Sequence, residues 1–190
     1  MGAVERKFVS LDSATGRRNG AGFRTCQGLY YRPKASVPKV AFIATHYNVD
    51  FSEHYLAERM AARGFGFLGW NTRFRGNEPF FLLEHALIDI GAGVDWLKTE
   101  AGADVVVLLG NSGGGSLMAA YQSQSIGVTM QATPGLKIPP GAAGTEDRRL
   151  LCLALRPWRA SRGVNGVVRS CCCRRKRSVQ RYPRSRYVQP

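Results

Sequence analysis

The chain lacks several features that would assign it to a special class of protein. It has no apolar run of transmembrane length, and Met1 to Lys7 lack the hydrophobic core of a signal peptide. Of five cysteines, only Cys26 lies in the first 147 residues, so no disulfide framework is expected there. These absences predict a cytoplasmic protein with no membrane partner.

Acidic residues are missing from the last part of the chain. Residues 1–147 carry 14 Lys and Arg against all 13 Asp and Glu, whereas residues 148–190 carry 13 Lys and Arg and no acid. The net charge of +14 therefore belongs almost entirely to the C-terminal segment, and the chain contains two compositional regimes.

Motifs for metal or phosphate binding are missing as well. Cys171, Cys172 and Cys173 are adjacent, without further Cys or His at the spacing that a tetrahedral metal site needs. No lysine lies between Lys98 and Lys137, which excludes a P-loop in the glycine-rich stretch between them. We therefore expect neither a metal ion nor another cofactor.

The most informative stretch combines a strand, a sharp turn and a helix. Val105–Leu109 is a run of apolar residues typical of a strand buried on both faces, and helix formers follow from Ser116. Between them, Gly110-Asn111-Ser112-Gly113-Gly114 fits the G-x-S-x-G nucleophile elbow. Ser112 is the candidate nucleophile. A plain glycine-rich turn and a phosphate-binding helix start are the alternatives.

Hydrophobic periodicity predicts an α/β fold. Two N-terminal strands, at residues 3–11 and 21–32, are expected to form a hairpin. Three further strands are each followed by a predicted helix. The strands lie at residues 40–45, 65–70 and 105–110, and the helices cover residues 53–63 with Ser52 as N-cap, a long stripe from Phe80 to Leu97, and the segment from Ser116. The expected fold is a doubly wound, mostly parallel sheet preceded by a hairpin.

With these elements in order, residues 21 to about 137 resemble the N-terminal half of an α/β-hydrolase of the serine esterase and acyl-hydrolase type. The resemblance implies hydrolysis of an ester or related acyl bond in a small-molecule substrate. It makes Ser112 the nucleophile and Gly110 and Gly114 the elbow glycines. It places the oxyanion-hole N–H groups at Gly113 and Tyr47.

The chain departs from that family in two ways. His46-Tyr47-Asn48 stands where typical lipases have His-Gly-Gly-Gly, which leaves the choice between Tyr47 and Asn48 open. His46 is expected to orient this loop, with a substitute base and a plain strand-end histidine as the alternatives. The family order of serine, acid and histidine also fails, because no histidine follows Ser112.

The remaining titratable residues do not complete a triad. Glu146 and Asp147 are the only acids after Ser112. His54 and His85 precede it and are expected on helix surfaces or packing faces. A serine without a base is a weak nucleophile, so the chain as it stands is predicted to be inactive.

The chain divides at about residue 140 into an α/β-hydrolase half, 1–140, and a low-order segment, 141–190, which is rich in Arg and Cys. This segment has two interpretations. A genuine basic arm, with Arg174–Arg177 and two tyrosines, would bind nucleic acid or acidic surfaces as a non-catalytic module. A shift of the reading frame near Pro140 would also give basic sequence without acids or hydrophobic period, and we favour it.

Overall fold

A computed structural model describes residues 2–12, 25–126, 128–131 and 133–134, and the backbone of residues 150–155. The loop of the predicted hairpin lies outside the described residues. Most of segment 141–190, with its three adjacent cysteines, lies outside them as well, so the prediction that this segment is disordered is not tested.

The described strands form a single six-stranded sheet. Their bounds agree with the predicted strands to within a few residues, apart from the last one, which was not predicted. They are β1 (Val4–Asp12), β2 (Thr25–Pro33), β3 (Val40–His46), β4 (Gly66–Asn71), β5 (Val105–Asn111) and β6 (Leu150–Leu155).

The strand order is β1-β2-β4-β3-β5-β6. β1 and β2 pair antiparallel, with Phe8 opposite Leu29, and this confirms the predicted hairpin. β2 pairs antiparallel with β4, whereas β3 to β6 are parallel to one another. The chain passes from β3 to β4 on one side and then returns past β3 to β5. This reversal at β3 is the place where open α/β sheets bind ligands, at the carboxyl ends of the strands.

The described helices are α1 (Ala57–Ala61), α2 (Leu83–Thr99) and α3 (Gly113–Ile126). α1 is much shorter than the predicted helix 53–63, and its N-cap is Leu56, so the assignment of Ser52 as N-cap is wrong. Ser52 instead belongs to the preceding loop, where its carbonyl accepts a hydrogen bond from the hydroxyl of Tyr31. A short 3-10 turn, Glu78–Phe80, precedes α2.

The sheet separates two apolar clusters, because successive residues of a strand point to opposite faces. α2 and α3 pack on one face, where Ile43 and Leu68 are fully buried. α1 packs on the other face, against Ala44 and Phe67. Covering both faces of a mostly parallel sheet in this way defines the α/β class, and the predicted doubly wound fold is confirmed.

Strand β6 lies within segment 141–190 and was not predicted. Leu150–Leu155 pairs in parallel with β5, from Val106↔Leu150 to Asn111↔Leu155. All six of its residues are apolar, and a short apolar run of this length is typical of a strand.

A buried ion pair fixes the loop that follows β4. The Arg73 guanidinium contacts the Asp89 carboxylate on α2, with Nη2 at 2.6 Å from Oδ1 and Nε at 3.0 Å from Oδ2. Both side chains are almost completely buried. The Arg73 backbone N–H donates to the same carboxylate, and the Trp70 indole donates to the Asp89 carbonyl. These bonds tie the end of β4 to the middle of α2.

The substitution Arg73→Leu should therefore destabilise the fold strongly. It leaves the Asp89 carboxylate buried without its guanidinium, and breaking a buried pair from one side costs about 3–5 kcal/mol. Urea denaturation should show this loss. The matched control is Lys39→Ala, which removes an exposed pair with Asp104 and should cost less than about 1 kcal/mol. Equal losses in the two variants would contradict the structural role of the buried pair.

Candidate functional site

The turn between β5 and α3 has a strained backbone. Ser112 has φ of 54°, and it is the only residue other than glycine with positive φ in the part of the chain that the structure describes. A serine in this left-handed region is uncommon and costs on the order of 1–3 kcal/mol. Ser112 is also exposed, at the carboxyl end of the sheet. The turn therefore presents its hydroxyl above the sheet at an energetic cost.

The glycines on either side of Ser112 are required by close backbone contacts. A Cβ atom on Gly110 would lie 2.6 Å from the Cα of Gly115, one turn into α3. A Cβ atom on Gly114 would lie 2.1 Å from the carbonyl oxygen of Thr45 on β3. Both obstacles are backbone atoms, which cannot move aside as a side chain can. The G-x-S-x-G spacing thus lets α3 begin directly against β5 and β3.

His46, the last residue of β3, contacts the elbow directly. The Gly113 N–H group lies 3.1 Å from Nε2 of His46, and the Asn48 N–H group lies 3.2 Å from Nδ1. A neutral imidazole has only one unprotonated nitrogen, so it accepts only one of these two hydrogen bonds at a time. Burial of the ring lowers the pKa of His46, against the opposing effect of the Asn48 hydrogen bond, and this favours the neutral form.

Tyr47 lies over the start of α3. Its ring stacks on His46 with centroids 4.6 Å apart, and a Cβ atom on Gly113 would lie 2.4 Å from the ring. The ring also meets Phe81, from the segment before α2, at 6.0 Å. The structure thus brings together three predicted site residues, His46, Tyr47 and Gly113. In this arrangement the Gly113 N–H group points to the imidazole.

Asn71, at the end of β4, organises the loop after β3 and was not predicted. Its Oδ1 accepts a hydrogen bond from the Phe51 N–H group at 3.0 Å. Its Nδ2 donates to Asp50 Oδ1 and Ser52 Oγ, both at 2.8 Å. A polar residue directly after an apolar strand is the only sequence signal for this role, and it does not reveal the partners.

His54 was predicted on a helix, and this is wrong. It lies in the turn before α1 and is only 7% exposed. Its Nδ1 accepts a hydrogen bond from the Leu56 N–H group at 3.3 Å, and its Nε2 lies 3.4 Å from Nδ2 of Asn111. Burial lowers the pKa of His54 to about 4. His85 lies on α2, half-buried, as expected for a helix residue.

No hydrogen bond joins the Ser112 hydroxyl to an imidazole anywhere in the described ranges. His46 and His54 instead contact Gly113 and Asn111, the two neighbours of Ser112. The described chain therefore positions the serine from both sides, but it supplies no hydrogen-bonded base.

Neither a metal site nor a membrane span is present in the described residues. No group of three or more His, Cys, Asp and Glu side chains there is placed to hold a metal ion. No helix among them is long and apolar enough to cross a bilayer. Cys26 is completely buried, and burial raises the pKa of its thiol, which suits a packing residue.

A groove of about 380 Å³ lies beside α1. Its lining includes an ion pair between Arg6 and Glu58, and the Arg6 guanidinium stands over the ring of Tyr31. None of the elbow residues lines it. The remaining lining residues are Glu53, His54, Tyr55 and Arg59.

Comparisons with known proteins identify the fold. No protein-family model matches the chain, and no curated protein sequence matches it. Among solved structures, brefeldin A esterase, a bacterial homologue of human hormone-sensitive lipase, is similar with a TM-score of 0.51 and 17% identity. The match covers 67% of this chain and 37% of that one.

Two other esterases are also similar. One is from Pyrococcus furiosus, with 18% identity and a TM-score of 0.47 over 64% of this chain and 46% of that one. The other is a cold-adapted esterase from an Arctic intertidal metagenomic library, with 19% identity and a TM-score of 0.46 over 63% and 54%. The chain thus spans about half or less of the length of these proteins. Together with the sheet order, the match to brefeldin A esterase shows that the chain has the α/β-hydrolase fold, with the N-terminal half of that fold represented.

Proposed function

We propose that this chain derives from a serine hydrolase acting on an ester or related acyl bond in a small molecule, with Ser112 as nucleophile. The observation that carries the proposal is the backbone of Ser112, with φ of 54°. Strain of this kind persists only where the surroundings enforce it, and it is concentrated at functional sites. Here it exposes a hydroxyl at the sheet edge where such folds bind ligands.

The groups around Ser112 fit an oxyanion hole. The Gly113 N–H group is the first donor, at the start of a 14-residue helix. For the second, we propose Tyr47, as the family resemblance implies, with Asn48 as the alternative. The Gly113 N–H group must leave Nε2 of His46 before it can bind a developing negative charge. His46 thereby acts as the residue that orients this loop.

The absence of a base limits what the chain can do alone. A serine hydroxyl needs a base within hydrogen-bond reach to attack an acyl carbon efficiently. All three histidines of the chain precede Ser112, and the two beside the elbow contact its neighbours. We therefore propose that the chain as it stands is truncated or frameshifted and turns over substrate poorly. The missing acid and base would come from the rest of the fold.

A non-catalytic fragment or binding module is the alternative. It is favoured by the 13 positive charges and complete lack of acids in residues 148–190, which would suit a nucleic acid or another acidic surface. On this alternative, the elbow turn is retained from a catalytic ancestor without a catalytic role, and the basic segment carries the binding function.

A fluorophosphonate probe separates the two functions. If Ser112 is a nucleophile, the folded chain should be labelled slowly, and Ser112→Ala should abolish the labelling. The matched control is Ser116→Ala, which changes another exposed serine one turn further along α3 and should leave labelling in place. Folded protein that takes up no label would instead support the non-catalytic module.

The elbow geometry can be tested with two neighbouring glycines. In Gly114→Ala the new Cβ meets the Thr45 carbonyl oxygen at 2.1 Å, so the turn must shift and labelling should be lost. Overpacking of this kind typically also costs about 1–3 kcal/mol of stability. In Gly115→Ala the new Cβ meets nothing within 4 Å, so labelling and stability should be kept. Labelling rates and urea denaturation of both variants measure this, and equal behaviour would argue against the elbow.

The reading-frame interpretation makes a prediction about the encoding nucleotide sequence. Translating the other two frames from about codon 138 should restore alternating apolar strands and balanced charge in one of them. That frame should also contain an Asp or Glu followed later by a His, in the order that the α/β-hydrolase triad requires. Early stop codons in both frames, or equally patternless sequence, would leave the basic segment as genuine.

A further inference from the structure

His54 and Asn111 form a contact that the proposed mechanism does not use. Asn111 is the last residue of β5 and directly precedes Ser112, whereas His54 lies in the turn before α1. The two atoms in contact are His54 Nε2 and Asn111 Nδ2, 3.4 Å apart. We propose that His54 is a positioning residue, which holds the strained elbow in place by donating a hydrogen bond from Nε2 to Oδ1 of Asn111, with the Asn111 amide turned by 180°. This builds on the proposed role of Ser112.

The His54 ring is held firmly by aromatic neighbours. It stacks between Tyr55 at 4.5 Å and Phe67 at 5.3 Å, with both ring planes within 30° of its own. Phe51 meets it edge-on at 4.9 Å. Because Phe67 belongs to β4 and is completely buried, the imidazole is anchored to the sheet. A ring packed in this way can serve as a fixed point for the elbow turn.

The contacts of the ring determine which nitrogen carries the proton. Nδ1 faces the backbone N–H group of Leu56 at 3.3 Å and must accept that hydrogen bond. In a neutral imidazole the other nitrogen, Nε2, then carries the hydrogen and is a donor. The neutral form is maintained because burial lowers the pKa of His54 to about 4.

A donor at Nε2 sets the orientation of the Asn111 side chain. The backbone N–H of Leu56 cannot turn away, whereas an amide side chain can rotate by 180° and exchange its oxygen and nitrogen. With Nδ2 of Asn111 toward the ring, two N–H groups would face each other. Turning the amide brings Oδ1 to Nε2 and satisfies both groups. This fixes the side chain of the residue just before Ser112.

The elbow is thus held on both sides by histidines from one stretch of chain. His46 contacts Gly113, the residue after Ser112, and His54 contacts Asn111, the residue before it. Both histidines belong to the segment running from the end of β3 to the start of α1. The two contacts together oppose relaxation of the positive φ at Ser112.

The first test is the tautomer of His54, read from the nitrogen chemical shifts of the labelled protein. We expect a protonated Nε2 and an unprotonated Nδ1 at neutral pH. In His54→Phe, which keeps an aromatic ring between Tyr55 and Phe67, amide hydrogen exchange at Ser112 and Gly113 should become faster. Tyr55→Phe is the matched control, since it keeps the stacked ring and should leave exchange unchanged.

The second test is a double-mutant cycle on the fluorophosphonate reaction. His54→Phe and Asn111→Leu should each lower the maximal labelling rate by about tenfold to a hundredfold, the size expected when a reacting group is slightly misplaced. The apparent probe affinity should stay the same. The double variant should be no slower than either single variant, because both remove one and the same contact.

Three results would overturn the proposal. The first is an Nδ1-protonated tautomer, and the second is a double variant in which the two rate effects multiply. The third is unchanged amide exchange at the elbow in His54→Phe. The tautomer of His54 and the amide exchange at the elbow can be measured even if Ser112 takes up no label. A failure of the proposed hydrolase function is therefore distinguishable from a failure of the positioning role of His54.

Discussion

The close approach of α3 to the end of β3 is the constraint on which the site depends. Gly114 packs against the Thr45 carbonyl so tightly that no side chain fits between them. Because β3 is the strand at which the sheet order reverses, this contact places Ser112 above the edge at which open α/β sheets generally bind ligands. It also brings His46, the next residue of β3, within reach of the Gly113 N–H group. Without the contact, neither the exposed serine nor the nearby loop would have a defined position.

The loops around this contact are anchored from the neighbouring strand. Asn71 at the end of β4 binds the loop after β3 through three hydrogen bonds. Two residues further on, Arg73 binds α2 through its buried pair with Asp89. The end of β4 thus holds a loop on one side and a helix on the other. Where the strand ends, backbone groups no longer pair with a neighbouring strand. The polar side chains of Asn71 and Arg73 supply hydrogen bonds there and so hold the adjoining loop and helix in place.

Much of the architecture could be predicted from sequence, because apolar runs and glycine positions report on local structure. The hairpin, strands β3 to β5 and the elbow turn all follow from such signals. α1 proved shorter than the predicted helix 53–63, since Tyr55 within that range is 61% exposed and precedes the helix. β6 was missed because the basic composition around it outweighed its six apolar residues.

The contacts within the site were much harder to predict. Nothing in the spacing of His54 indicates that it lies under aromatic rings beside Asn111, because the two residues are 57 positions apart. The bond between His46 and Gly113 likewise joins residues 67 positions apart. Such pairings depend on strand order and on side-chain rotamers, which a single sequence does not display. The turn that exposes Ser112 was therefore predictable from its motif, whereas the groups that contact this turn were not.

The glycine contacts of the elbow also limit which substitutions this turn can accept during evolution. Both glycines of the motif oppose backbone atoms, so a larger residue there cannot be accommodated by changing a neighbouring side chain. The geometry contributes to the stability of the fold, whether or not any chemistry takes place. A lineage that lost its acid and base would still keep the glycine frame around Ser112 for as long as it kept the fold. In genome surveys, the motif therefore records ancestry and architecture more durably than it records catalysis.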